Sequence, residues 1–195
     1  LYQQAVQADS PDSEIAMTIS GMLGARYFDA GRLAEAHDIT ERALAIAIDI
    51  YGDGSQRVQL WRSNLAEFKV YLKLGEPALQ YAAQTYQTNA DLLGKDHLYT
   101  LFMADVYGLA QVRWGDVQSG LTLLQETVQM KRDKFGPEHA FVRDTEIYLV
   151  EALFLSADMD GARDLALRLQ TAIAANKSIH RVKSDLLESL LEKIN

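Results

Sequence analysis

Gly136-Pro137-Glu138-His139 echoes Gly94-Lys95-Asp96-His97, and both echo Gly52-Asp53-Gly54-Ser55 and Ser10-Pro11-Asp12-Ser13. The first residues of these turn-like tetrads stand at 10, 52, 94 and 136, a step of 42 each time, and a fifth step reaches Ser178 beside Ile179-His180. A period near 40 belongs to helical solenoids or to propeller blades. The apolar positions keep the same register. Leu23, Leu65, Tyr107, Leu149 and Leu191 form one column, followed by Gly24, Ala66, Gly108 and Val150. Phe28, Val70, Val112 and Phe154 form another, and Ile39, Tyr81, Leu123 and Leu165 another.

Spacing within a unit separates the two architectures. In Ala36-x-x-Ile39-x-x-x-Ala43-Leu44-x-x-Ala47-Ile48 the apolar residues recur at three and four, which places them on one helical face. Ala, Leu, Glu, Gln and Arg dominate, and all favour helix. A propeller blade needs four β-rich runs, and these are absent. Each unit therefore reads as two helices. The first is expected over about 14–29, turning at Asp29-Ala30-Gly31-Arg32, and the second over about 33–50, stopping at Tyr51-Gly52. Ala36, Ala78, Gly120 and Ala162 form a column of small residues, expected where two antiparallel helices cross closely. Leu23, Leu65, Tyr107 and Leu149 are expected to fill the space opposite them.

Composition limits the function. The chain has 195 residues, 48% of them hydrophobic, which is ordinary for a globular fold. Its net charge of −8 argues against nucleic acid, because phosphate binding needs clustered Lys and Arg. It has no Cys, so disulfides, thiolate zinc sites and Cys nucleophiles are excluded. No segment approaches the ~18 apolar residues that span a bilayer, so no membrane partner is expected. The chain opens on Leu1-Tyr2-Gln3-Gln4 without a Met or a basic-then-apolar leader, which suggests a piece of something longer. Either a cytoplasmic or a periplasmic location fits, and cytoplasmic is the working expectation.

Catalytic constellations are weak. His97, His139 and His180 stand in or beside the inter-unit loops, about one unit apart, and that spacing separates metal ligands rather than gathering them. Loop ordering is the expected role of His97 and His139, and His37 reads as an amphipathic-helix residue. No His-Glu-x-x-His, phosphate loop or Gly-x-Ser-x-Gly occurs, and Asp53-Gly54-Ser55 lacks a calcium-loop ligand series. No catalytic residue, metal site or cofactor is expected. Trp61 reads as core, and Trp114 as a half-exposed aromatic at a helix end.

Leu23-Gly24-x-x-Tyr27 followed by Gly31 and Ala36 resembles the tetratricopeptide repeat. Leu33-Ala34-Glu35-Ala36, then Glu41-Arg42-Ala43-Leu44-Ala45-Ile46, is similar to the second helix of its longer, kinesin-light-chain-type version, as are the Gly-x-Asp/Glu-His loops at 94–97 and 136–139. Lys69 and Gln111 depart from the Tyr27 column, and Pro77 enters the first turn of a second helix, where Pro is tolerated. The resemblance implies an all-α, right-handed superhelical solenoid in one domain over 1–195. It would hold a partial helix at 1–9, units at about 14–52, 56–94, 98–136 and 140–176, and a capping helix at about 182–195.

The resemblance further implies a concave wall lined by first helices. Carried over column by column, that wall takes Thr18, Met22, Ala25 and Asp29 from the first unit. The second adds Asn64, Glu67 and Tyr71, the third Phe102, Asp105, Val106, Leu109 and Arg113, and the fourth Tyr148, Glu151 and Leu155. The strongest binding candidates are Asn64, Glu67, Tyr71, Asp105, Leu109, Arg113, Tyr148 and Glu151. In repeats of this type an Asn before the Leu column commonly holds peptide backbone, and only Asn64 keeps it; Met22, Val106 and Tyr148 replace it elsewhere. The implied function is a non-catalytic scaffold for a protein or peptide segment, apolar or basic rather than acidic. Alternatives are a regulatory segment of a larger signalling protein, such as a kinase or transcription regulator, and a receptor for a short signalling peptide. Self-association through the broken array end, as a homodimer, is a further expectation. Reversing the charge of Glu67 and Glu151 is expected to weaken a basic partner.

Overall fold

A computed structural model of the chain describes residues 14–176 and 181–194, so the expected partial helix at 1–9 lies outside the described residues. The described residues form nine helices and no strand. They are α1 (Glu14–Asp29), α2 (Leu33–Tyr51), α3 (Gln56–Tyr71), α4 (Glu76–Leu93), α5 (Leu98–Trp114), α6 (Val117–Phe135), α7 (Ala140–Leu155), α8 (Met159–Asn176) and α9 (Arg181–Ile194). First helices begin at 14, 56, 98 and 140, preserving the 42-residue step. Each helix packs on the next, α3 packs on α5 and α5 on α7, and α9 packs on α7 and α8 and reaches back to α1.

The punctuating tetrads work at both ends. Gly52, Gly94 and Gly136 close α2, α4 and α6 at φ of 79°, 90° and 89°, a backbone region that residues with a Cβ rarely enter. Three residues on, Ser55, His97 and His139 cap the next helix. The Ser55 hydroxyl accepts from the Arg57 N–H at 3.3 Å, and the His97 and His139 Nδ1 atoms accept from Tyr99 and Phe141 at 3.2 Å. Each such bond satisfies a backbone donor that the first helical turn leaves without a partner.

The turn inside the unit shows what a departure from glycine costs. Gly31 has φ of 74°, and its N–H bonds Phe28 O while the Arg32 N–H bonds Tyr27 O. This is the Schellman arrangement. Lys73 and Ala157, at the same position of the second and fourth units, repeat both bonds with φ of 57° and 67°. Left-handed backbone strains an L side chain, whereas glycine enters it freely at some cost in unfolded-state entropy. Ala157→Gly is therefore expected to stabilise the fold by about 0.5–1 kcal/mol. Chemical denaturation showing a lower midpoint for this variant would contradict the assignment.

Small residues do set the helix crossings, but their partners differ from those expected. A Cβ built on Gly24 would lie 3.6 Å from Ala36 O, and one on Gly120 would lie 2.7 Å from Gly108 O and 2.8 Å from Val112 N. The small column thus meets the Gly24, Ala66, Gly108, Val150 column one position later than the expected Leu23 column. Leu23, Tyr107 and Leu149 are half-buried and Leu65 is buried in the Trp61 cluster, beside the crossing and not in it, where a large residue would hold the backbones apart. Ala78 and Ala162 are fully buried. Ala78→Leu should cost about 1–3 kcal/mol through overpacking. An unchanged melting temperature would show that the crossing can open.

Trp61 is buried in a core cluster with Met17, Ala43, Leu44 and Leu65. Its ring lies where a Cβ on Gly21 would stand, 1.9 Å from Cζ3, so Gly21 is the clearance for that indole. Trp114 is half-buried and packs on the larger cluster, which runs from Phe28 and Ala36 of the first unit through to α9.

Candidate functional site: the concave wall

Much of the expected concave wall has closed on itself. Tyr71 and Tyr148, separated by 77 residues, meet hydroxyl to hydroxyl at 3.0 Å, with the Tyr71 O–H donating. The Tyr148 O–H then donates to Glu67 Oε1 at 3.2 Å. Lys183, from the last helix, approaches Glu67 at 3.7 Å and Asp144 at 3.1 Å, and its ammonium lies 5.4 Å from the centre of the Tyr148 ring. One buried chain of polar groups therefore ties α3, α7 and α9 together. Burial drives both tyrosine pKa values above the usual phenol range, so both rings stay neutral. Burial alone would lower the Lys183 pKa. The carboxylates of Asp144 and Glu67 oppose it and leave the ammonium above the ordinary lysine value.

Beside this chain, Arg113 forks onto Glu151 with two bonds of 2.8 Å and donates a third, of 3.2 Å, to Val70 O. Planar guanidinium and carboxylate match in a bidentate pair of this kind. Leu109 is buried in the same region. Tyr71, Leu109, Arg113, Tyr148 and Glu151 thus pack with one another instead of lining an open groove. Asn64, Glu67 and Asp105 reach the remaining cavity. Charge reversal at Glu67 and Glu151 would break buried pairs and would report on folding before it reported on a partner.

A second buried pair borders the same cavity. Lys131 donates to Asp105, and Thr145 bridges them, accepting from Lys131 at 2.9 Å and donating to Asp105 at 2.8 Å. Burial raises the Asp105 pKa, and the nearby Lys131 opposes that rise. Forty-two residues earlier the same two positions are Ser63 and Asn89, joined by a neutral bond of 3.1 Å. Forty-two later they are Ile147, in the core, and Ile173, half-buried against it. One interhelical contact is therefore written in three chemistries. Sequence reasoning missed Lys131 and Lys183, although the repeated 26-residue spacing of Asn89 from Ser63 and of Lys131 from Asp105 carried a signal for the first.

What stays open is a cavity of about 270 Å³ on the concave side. Phe28, Phe68, Tyr99, Phe102 and Phe141 supply rings, and Ala25, Leu60 and Leu98 supply aliphatic wall. Leu98 and Phe141 are each 38% exposed, a large apolar surface left in water at the lining. Asp29, Glu67, Asp105 and Asp144 set four carboxylates against the ammonium groups of Lys131 and Lys183. Asn64 also lines the cavity, half-buried, and its amide makes no hydrogen bond among the described residues. No group of three or more His, Asp or Glu among the described residues is placed to hold a metal ion. No described helix is long and apolar enough to cross a membrane.

The arrangement is that of a tetratricopeptide-like solenoid of paired helices. Residues 17–57 match the family model described as Tetratricopeptide repeat. No curated protein sequence matches the chain. Among solved structures, a Podosopora anserina protein with nearly identical TPR-like repeats of the kinesin light chain type is 18% identical, with a TM-score of 0.64 over 91% of this chain and 92% of that one. BtubC (BKLC) from P. vanneervenii is 21% identical, with a TM-score of 0.65 over 92% of this chain and 73% of that one. These likenesses establish a shared fold. Tetratricopeptide arrays are in general non-catalytic scaffolds for protein–protein interaction.

Proposed function

We propose that this chain is a non-catalytic scaffold that holds a segment of a partner protein against the concave cavity. The observation that carries the reading is the pairing of an unpartnered Asn64 amide with exposed apolar surface at Leu98 and Phe141 on one small cavity. An amide can donate to and accept from an extended backbone at once, while the apolar wall gains from leaving water. Among the described residues the lining holds four carboxylates and two ammonium groups, which favours an apolar or basic segment over an acidic one. The closed Tyr71–Tyr148 and Arg113–Glu151 contacts confine binding to the cavity end of the wall. A cytoplasmic setting suits this reading. So does a place as the regulatory segment of a longer signalling protein.

The test is selection of a random twelve-residue peptide display library on the immobilised chain. Survivors are then measured by calorimetry on the parent, on Asn64→Ala and on Ala25→Trp. Ala25 is exposed on α1 and lines the cavity, so a Trp there fills the space without entering the core. Enriched peptides should weaken at least tenfold on both variants. Enrichment of nothing, or of peptides that bind all three proteins equally, would overturn the reading.

A further inference from the structure

We infer that the junction between the second and third units encloses a binding site for one water molecule, held by Gln59 of α3, Asn89 of α4 and Thr100 of α5. The inference is independent of the partner proposed above.

Three oxygens carry it. Gln59, Asn89 and Thr100 are each 0% exposed, and Gln59 Oε1, Asn89 Oδ1 and Thr100 Oγ1 have no hydrogen-bond partner among the described residues. Turning the two amides over does not help. Gln59 Nε2 donates to Ser55 O at 3.3 Å and Asn89 Nδ2 to Tyr99 O at 3.2 Å, so each nitrogen already faces a carbonyl that can only accept. Thr100 also lacks the outlet that other buried threonines use. Thr85 and Thr127 donate to the carbonyls four residues back, Tyr81 O at 2.8 Å and Leu123 O at 2.7 Å. The carbonyl four back from Thr100 belongs to Asp96, and it takes the Lys134 ammonium instead. Leaving a buried polar atom unpaired costs more than a typical hydrogen bond contributes, so three in one junction call for a ligand.

The 42-residue step places the three together. One period earlier their positions are Met17, Ala47 and Val58, which pack in a single buried cluster. One period later they are Leu101, Lys131 and Val142, and there the Lys131 ammonium bonds Asp105 and Thr145. The first junction is thus apolar at this level, the third carries an ammonium, and the second is ringed by oxygens. The Asn89 amide marks the meeting point. It joins Ser63 Oγ of α3, one turn beyond Gln59, to Tyr99 O of α5, the residue before Thr100.

Bond count selects the ligand. A water donates one hydrogen to each amide oxygen and accepts from the Thr100 hydroxyl, the three bonds that a water inside a protein typically makes. None of the three side chains is charged, so a cation would be buried there without an anion from them. Because Asn89 also holds the Tyr99 carbonyl, and Tyr99 lines the concave cavity, the water braces one wall of that cavity.

Crystals of the full chain should show one water within hydrogen-bond distance of all three oxygens. Water-oxygen magnetic relaxation dispersion then counts the waters that stay inside the fold in solution. The triple variant Gln59→Met, Asn89→Ala, Thr100→Val, which writes the first junction into the second, should hold one fewer than the parent and should melt no lower. A parent crystal in which protein donors fill the three oxygens overturns the inference, whether or not the variant folds. So does an equal count in the parent and the folded variant. A parent melting temperature that rises in sodium, potassium or ammonium chloride over choline chloride at equal ionic strength, with no such rise in the variant, would make the ligand a cation and overturn it as well.

Discussion

Lys131→Met is expected to destabilise the fold by about 3–5 kcal/mol at neutral pH, because it leaves the Asp105 carboxylate buried without its cation. Asp105 is 2% exposed and Lys131 is 3% exposed, so water replaces little of the lost partner. The double variant Asp105→Ile with Lys131→Ile should recover most of that loss. It writes into the third unit the apolar pair that the fourth already carries as Ile147 and Ile173. A buried ion pair replaced by well-packed apolar residues is often neutral or stabilising. The loss should also depend on pH. Burial raises the Asp105 pKa, so the folded state holds this proton more tightly than the unfolded chain does. Its contribution is then most favourable below the ordinary carboxylate value of 3.8 and is lost as pH rises through the raised one. Removing Lys131 raises that pKa further, so the penalty of the single variant should shrink as pH falls towards 4. Urea denaturation of the two variants at several pH values measures all of this. A double variant weaker than the single one would reject the exchange.

Lys183→Met should cost a comparable amount, about 3–5 kcal/mol, and should loosen a different part of the array. Lys183 answers both Glu67 and Asp144, and through Tyr148 it reaches Tyr71. Its loss leaves two carboxylates facing one another across α3 and α7. Amide exchange should therefore speed up in α9 and at the inner ends of those helices before it changes in α2. Because the folded-state pKa of Lys183 is raised, the stabilisation is present throughout neutral pH and is lost only above the ordinary lysine range. Uniform exchange across all helices in the variant would show that the polar chain does not organise the closure.

The sequence carried the helices and their order, because periodicity is a local property. A 42-residue step with apolar residues at three and four specifies paired helices regardless of what surrounds them. Gly52, Gly94 and Gly136 mark ends that only their backbone freedom permits, and the caps three residues on are local as well. The composition of the concave columns was equally legible, and Asn64, Glu67 and Asp105 do reach the cavity.

The tertiary structure decided whether those columns form a groove. Tyr71 meets Tyr148, and Arg113 meets Glu151, only because the superhelix brings units separated by 77 and 38 residues face to face. The curvature that does this is a sum of small packing differences at each crossing, such as the close approach of Gly108 to Gly120, and no single column reports that sum. Lys183 illustrates the same point. It follows no repeat, and its place against Glu67 and Asp144 exists only once α9 has docked. A periodic sequence states what each unit is, and the angle at which units stack fixes which inward-facing side chains meet one another and which still face water.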